Sequence, residues 1–170
     1  ATGAKPFAPD IPGIKGENVV TAIEVLTEAV EVGNKVVVIG GSLVGCETAE
    51  FLAQKGKEVT ILRRSARIAD DVPPASRWVL MQRLRQANIV METNLSYEEI
   101  TAKGVKVTRE GNPIFFPADT VVLATGSLPN KELAMQLQNK VSEIHLIGDC
   151  MEPRKIKEAI EEGFSAGSLV

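Results

Sequence analysis

The run Val36-Val37-Val38-Ile39 passes directly into Gly40-Gly41-Ser42-Leu43-Val44-Gly45 and then into a segment with helical spacing. No other stretch limits the fold as tightly. An unbroken apolar run suits a strand buried on both faces. The helix expected over 42–55 places Gly45, Ala49 and Leu52 on one face at i, i+4 and i+7. Gly40 permits a tight turn, Gly45 lets the helix approach the sheet, and the free N–H groups of the first helical turn can face an anion. Strand, glycine turn and helix in this order form the setting in which a glycine fingerprint cradles a dinucleotide pyrophosphate. Ser42 departs from that fingerprint, standing where glycine gives the backbone its closest approach to phosphate, although its hydroxyl can donate a hydrogen bond. The alternative is a turn that serves only strand–helix packing.

The rest of the chain follows the same alternation. Gly56 closes the helix and a strand over 58–63 follows, so a right-handed βαβ crossover and a parallel sheet are expected. Pro73-Pro74 open a further helix with Leu80, Leu84 and Ala87 on one side and Asn88 as its left-handed stop, and Ile89-Val90-Met91 makes the next strand. Upstream, Thr21 caps a helix expected to run through Ile23, Leu26 and Val30 toward Gly33. Beyond Met91 the rhythm shortens to strands over 97–100, 105–109 and 114–116, with turns at Lys103-Gly104 and Gly111-Asn112, which is the pattern of an antiparallel meander. A buried strand over 120–124 returns the chain to the sheet. The expected fold is α/β: a Rossmann-like parallel sheet with a helix layer on each face and a small antiparallel β meander.

Pro6, Pro9, Pro12 and three glycines mark residues 1–17 as an extended connector. Ala1-Thr2-Gly3-Ala4-Lys5-Pro6 is echoed by Ala124-Thr125-Gly126-Ser127-Leu128-Pro129, and the two copies bracket the βαβ region. After the second copy come a short helix over 131–137, a strand over 144–147, the turn Gly148-Asp149-Cys150, and a helix through Ile156, Ile160 and Phe164. The predicted division is therefore 1–17, 18–128 and 129–170. The chain opens without Met and without a charged-then-apolar leader, and is expected to be a piece of something longer.

Cofactor choice turns on the end of the second strand. A free ribose 2'-hydroxyl wants a carboxylate there, whereas a 2'-phosphate wants arginine. The strand ends in Arg63-Arg64, with Arg67 just beyond, and no acid follows until Asp70. This favours NADP(H) over NAD(H); the alternative is a solvated cationic loop. Glu47, on the first turns of the helix, is either a surface acid in the field of the helix N-terminus or a group facing the nicotinamide. Cys46 reads as a core residue and His145 as structural.

Composition removes other classes. With 19 Lys+Arg against 22 Asp+Glu, the net charge of -3 offers no basic excess for nucleic acid. The longest apolar runs fall far short of the roughly 20 residues that cross a bilayer. Two distant cysteines and one histidine make neither a disulfide framework nor a metal-ligand cluster, and a cytoplasmic setting is expected.

Taken in order, Ala1-Thr2-Gly3 with Ile11-Pro12-Gly13-Ile14, the segment from Val38 to Glu47, Val122-Leu123-Ala124-Thr125-Gly126, and Ile147-Gly148-Asp149-Cys150 with Glu152-Pro153-Arg154-Lys155 resemble the pyridine nucleotide-disulfide oxidoreductase fold. More narrowly, they resemble the C-terminal region of NADH:flavin oxidoreductases related to 2,4-dienoyl-CoA reductase, 2-enoate reductase and trimethylamine dehydrogenase. The resemblance implies a nicotinamide dinucleotide domain inserted into a flavin domain: residues 1–17 lead from the flavin domain and 129–170 are its C-terminal part. It places Asp149 at the carboxylate that binds the FAD ribityl or pyrophosphate portion; the bland alternative is a turn acid. Together with the residues read from the glycine turn and the strand end, this makes the expected cofactor-binding set Gly40, Gly41, Ser42, Leu43, Val44, Gly45, Glu47, Arg63, Arg64, Thr125, Gly126, Gly148 and Asp149, with no catalytic residue and no metal ligand expected. Relatives carry FMN and often an iron-sulfur cluster in upstream domains. Those using NADH tend to end the second strand in Glu, a pattern from which Arg63 departs, and the paired cysteines of disulfide reductases are missing. The implied parent passes hydride from NAD(P)H to FAD and reduces an enoate or enoyl-CoA type double bond through its upstream domains, while the piece alone binds nucleotide with little turnover. The alternatives are a noncatalytic nucleotide-sensing or assembly domain, or a soluble NAD(P)H oxidase or ferredoxin reductase on the same scaffold.

Overall fold

The computed structural model describes residues 1–169; Val170, the last residue of the expected C-terminal part, lies outside them. In chain order the elements are β1 (Ala4–Pro6), β2 (Val19–Thr21), α1 (Ala22–Leu26), β3 (Lys35–Ile39), α2 (Leu43–Gln54), β4 (Glu58–Leu62), α3 (Pro74–Gln86), β5 (Val90–Glu92), β6 (Ser96–Thr101), β7 (Gly104–Arg109), β8 (Asn112–Pro117), β9 (Thr120–Leu123), β10 (Ser127–Pro129), α4 (Glu132–Leu137) and α5 (Ile156–Gly167), with a 3-10 turn at Gly148–Cys150. They divide into two compact units, Ala8–Thr125 on one hand and Ala1–Phe7 with the chain from Gly126 onward on the other.

The larger unit is built on five parallel strands in the order β2-β9-β3-β4-β5. Alternation along β3 sends Val36 and Val38 to one face and Val37 and Ile39 to the other, all of them buried. On the first face Val36, Val38, Ile61 and Val122 meet Val25 of α1, Ala49 and Leu52 of α2, and Leu84 of α3. On the second, Val37, Ile39, Leu62 and Val121 meet Ile100, Val105 and Val107 of the antiparallel sheet β6-β7-β8. The parallel sheet, its helices and the meander are thus present, but the expected second helix layer is replaced by the meander. Crossover handedness explains this. The steps β2 to β3, β3 to β4 and β4 to β5 run the same way across the sheet and put α1, α2 and α3 on one face. The return from β5 to β9 runs the opposite way, so its connection, which is the meander, covers the opposite face.

Local chemistry sets the boundaries. Thr21 caps α1 through a reciprocal box: its Oγ1 accepts from the Glu24 N–H, and the Glu24 carboxylate accepts from the Thr21 N–H at 2.7 Å. The helix stops at Leu26, earlier than expected, because Glu28 adopts φ 55° and the Ala29 N–H turns back to the Glu24 carbonyl. Asn88, at φ 56°, terminates the turn after α3 as its position predicts. Ile11, inside the expected connector, is buried against the meander side of the core.

In the smaller unit β1 and β10 pair antiparallel, Ala4 opposite Pro129 and Pro6 opposite Ser127, so the two echoed segments form one ladder. Neither strand is signalled by apolar alternation. The strand expected over 144–147 is not formed: a strand requires a neighbour to pair with, and among the described residues of this unit the sheet ends at β1 and β10. On α5, Ile156, Ile160 and Phe164 are 79, 65 and 78 % exposed.

Leu84 is fully buried between α3 and the sheet, whereas Trp78 on the same helix is 65 % exposed. Leu84→Ala is expected to destabilise the chain by about 2–5 kcal/mol in urea unfolding. Trp78→Ala is expected to change stability by less than about 0.5 kcal/mol.

Candidate functional site

The turn after β3 is pressed against the end of β9. Gly40 has φ +119°, and a Cβ there would lie 2.2 Å from the Ala124 carbonyl oxygen. The Ala124 N–H donates to the Ile39 carbonyl at 2.9 Å, which holds the two strand ends together. A Cβ on Gly45 would lie 2.0 Å from the Gly40 carbonyl oxygen, so the first turn of α2 rests on the glycine turn itself. A side chain on Gly41 would meet Ile68 and the stem of Arg63. The turn is therefore enclosed by β9 and by the loop that follows β4, and Thr125 leaves β9 immediately beyond this contact.

Ser42 is the N-cap of α2 in an extended conformation, and its hydroxyl makes no capping bond. The Leu43 N–H instead donates to the Asp71 carboxylate, 3.2 Å from each oxygen. An anion is therefore already seated at the first amide of the helix. Val44 is half exposed, and Glu47 is exposed on the following turn. Cys46 is fully buried, and burial pushes its thiol up to about 12, in keeping with a core role.

Arg63 follows β4 directly beside the turn, since the Gly40 N–H donates to the Leu62 carbonyl. Its guanidinium pairs with Asp70, and its Nε donates to Ser65 Oγ at 2.5 Å, leaving the side chain 18 % exposed. Arg64 and Arg67 face solvent. The loop is pinned from both sides: the Ala69 N–H donates to the Gly41 carbonyl at 2.6 Å, and Arg77 Nε donates to the Ile68 carbonyl at 2.8 Å. Tyr97 reaches the Leu62 carbonyl from the meander, and burial raises its phenol to about 12. Asp71 is the site residue that spacing alone does not reveal. Its signal was the paired acid Asp70-Asp71 standing after an arginine cluster and before Pro73-Pro74.

The expected set is thus brought together in part. Gly40 to Gly45, Arg63 and the Ala124-Thr125 end of β9 converge in the larger unit, with Arg64 at its solvent edge and Glu47 farther along α2. Gly126, Gly148 and Asp149 belong to the smaller unit. There the Gly126 carbonyl, at φ +94°, accepts from the Phe7 N–H at 2.9 Å. The Gly148 N–H donates to Glu162 Oε2 at 2.7 Å, and exposed Asp149 accepts from the Arg154 N–H at 3.3 Å. The Cys150 thiol donates to the Ile147 carbonyl at 3.0 Å and is lowered chiefly by a hydrogen bond from the Thr2 N–H. His145 lies in irregular chain rather than in a strand, with Nε2 2.8 Å from Glu143. No cluster of three or more metal-capable side chains occurs among the described residues, and no helix among them is long and apolar enough to cross a membrane.

The chain is similar to known proteins along most or all of its length. The NADH oxidase of Thermoanaerobacter brockii is 42% identical over 170 residues, covering 96% of this chain and 26% of that protein. The structure of a 2-naphthoyl-CoA reductase complex superposes with TM-score 0.95 at 35% identity, covering all of this chain and 26% of the other. An engineered water-forming NADPH oxidase, bound to NADPH, superposes with TM-score 0.62 at 26% identity, covering 86% of this chain and 34% of the other. The chain spans under a third of the length of curated relatives such as the NADH oxidase and a metal reductase of Desulforamulus reducens. Residues 1–163 match the family model of the pyridine nucleotide-disulphide oxidoreductases, and with the enclosed glycine turn at the head of α2 the chain belongs to that family.

Proposed function

We propose that this chain is the nicotinamide dinucleotide-binding part of a larger NAD(P)H:flavin oxidoreductase, in which hydride passes from NAD(P)H to FAD. The observation that carries the reading is the Leu43 amide at the head of α2 already bonded to a carboxylate, which stands in for a phosphate oxygen at the end of a glycine turn. Leu43, Val44 and the Gly40–Gly45 backbone would hold the pyrophosphate, and Thr125 would border it. Ser42 would offer its uncommitted hydroxyl. Gly126, Gly148 and Asp149 would contribute to FAD binding, with the smaller unit, Ala1–Phe7 and the chain from Gly126 onward, as the flavin-side segments. Exposure of Ile156, Ile160 and Phe164 along one side of α5 supports this, because a stripe of that kind belongs against a larger domain. When bound, FAD supplies the hydride acceptor. The residues of this chain position and shield the donor, so no acid or base is assigned among them.

The cofactor preference proposed is NADPH over NADH. Arg64 is exposed at the strand end and can meet a 2'-phosphate through paired hydrogen bonds, with Ser65 beside it. In the engineered NADPH oxidase an aspartate, an alanine and a methionine at consecutive positions were changed to alanine, arginine and serine; here the consecutive residues are Arg63-Arg64-Ser65. The Thermoanaerobacter brockii relative is named for NADH, so the preference is a property to be measured on this chain. The similarity to 2-naphthoyl-CoA reductase supports reduction of an enoate or enoyl-CoA type double bond by parts of the protein outside these residues, where FMN and an iron-sulfur cluster would sit. A second reading, a flavin-linked oxidase in the cytoplasm using the same nucleotide site, is favoured by the identity to the NADH oxidase. Oxygen consumption against enoyl thioester reduction by the full-length protein separates the two.

Titration of the chain with both cofactors tests the nucleotide reading. NADPH is expected to bind more tightly than NADH, and Arg64→Ala to lower NADPH affinity about ten- to a hundredfold while leaving NADH unchanged. Gly45→Ala pushes a methyl onto the Gly40 carbonyl and is expected to lower both affinities in parallel. Equal affinities in the unmodified chain would remove the 2'-phosphate assignment. The chain purified alone is also expected to lack stoichiometric FAD, and a yellow product would contradict that.

A further inference from the structure

Asp70 and Asp71 occupy the two groups that a 2'-phosphorylated dinucleotide would need. Asp70 holds the Arg63 guanidinium at the strand end, and Asp71 holds the Leu43 amide at the head of α2. We propose that this acidic pair is an internal stand-in for the two phosphate groups of the cofactor, releasing Arg63 and Leu43 only as the cofactor's own anions take their place, and so setting both affinity and selectivity. The proposal rests on the dinucleotide reading above.

The geometry explains how a replacement of this kind can occur without unfolding the loop. The anchors of the loop are backbone contacts and a buried side chain: the Ala69 N–H on the Gly41 carbonyl, Ala69 in the left-handed region at φ 53°, and Ile68 packed at 3 % exposure. The two carboxylates themselves are exposed residues. The incoming anions take over the Arg63 and Leu43 donors as the carboxylates turn toward water, while the chain stays pinned at Ala69. A carboxylate and a phosphate oxygen cannot share one amide N–H, because like charges at hydrogen-bond distance repel. Binding is therefore an exchange of anions at both points. Release of Asp70 also frees Arg63, half-buried in its ion pair, to join Arg64 at the 2'-phosphate. The two acids act on different parts of the ligand: Asp71 opposes any pyrophosphate, and Asp70 opposes only a 2'-phosphate.

This separation makes the test crosswise. The 170-residue chain, Asp70→Asn and Asp71→Asn are titrated with inorganic pyrophosphate, 2'-AMP, NADH and NADPH, with thermal melts to show that each variant is folded. Asparagine keeps an oxygen that can accept from Leu43, so the cap survives the loss of charge. Asp71→Asn is expected to tighten pyrophosphate, NADH and NADPH about fivefold and leave 2'-AMP unchanged. Asp70→Asn is expected to tighten only 2'-AMP and NADPH by a similar factor, raising the NADPH to NADH ratio. Weaker or unchanged binding in both variants overturns the proposal while leaving the dinucleotide reading intact. A uniform gain for all four ligands in both variants also overturns it, because that is a general charge effect. Failure of all three proteins to bind either dinucleotide removes the underlying reading and this proposal with it.

Discussion

The close packing of Gly40, Gly45 and Ala124 is the contact on which the larger unit depends. Three backbones meet there within distances that admit no Cβ on either glycine. Because the helix rests on the turn and the turn rests on β9, the amides that begin α2 stand at the carboxyl ends of β3, β4 and β9. That is the end of an open α/β sheet where ligands gather. Side chains around this point adapt to the backbone: Ile68 and Arg63 fill the space over Gly41, and the loop after β4 closes on the turn through Ala69.

The sheet behind the turn can be fully apolar because both its faces are covered. Val36 to Ile39 alternate between a helical side and a meander side, and each residue is at most 2 % exposed. Burying one aliphatic side chain in this way contributes on the order of 1.5–3 kcal/mol. Because both faces are apolar, alternation alone does not fix the register of β3. Register is held instead at the strand starts, where the Asp119 carboxylate accepts from the Asn34 and Lys35 N–H groups at 3.0 and 2.8 Å. Strand ends carry the candidate site and strand starts carry alignment.

What could be read from residues alone follows the range of the forces involved. Local signals were sufficient for α2, α3 and the meander: the glycine turn, Pro73-Pro74, Asn88 and the Gly111-Asn112 hairpin act within a few residues of themselves. Signals were insufficient where pairing is distant. β1 and β10 are three-residue strands joined across the whole chain, and β2 pairs with β9 about a hundred positions away, without apolar alternation to announce either. Residues 144–147 show the converse, an apolar segment with strand character and no neighbouring strand. The second layer of the sheet is not legible from helix count, because crossover direction decides which face a connection covers. At the site, Gly40 to Gly45 and Arg63 are legible because their chemistry is positional. Asp71 is not, because its role arises only when the loop after β4 folds back on α2.

The electrostatics of the turn follow from that fold-back. Both Asp70 and Asp71 lie on one short loop, pinned just before them by Ala69 on Gly41 and by Arg77 on the Ile68 carbonyl, that delivers one to Arg63 and the other to the Leu43 amide. Without such acids the head of α2 would present its first amides to water, and Arg63 would carry a charge in a setting that is only 18 % exposed. A chain with net charge -3 thus keeps negative charge directly at a place chemically suited to anions. The arrangement reconciles two demands on one surface: a satisfied backbone and a neutralised guanidinium when nothing is bound, and amide and guanidinium donors already aimed when a phosphate arrives. In the exchange proposed above, binding is a substitution of one anion for another, so the free energy that would separate cofactors is the difference between phosphate and carboxylate at fixed donors rather than the full strength of either contact.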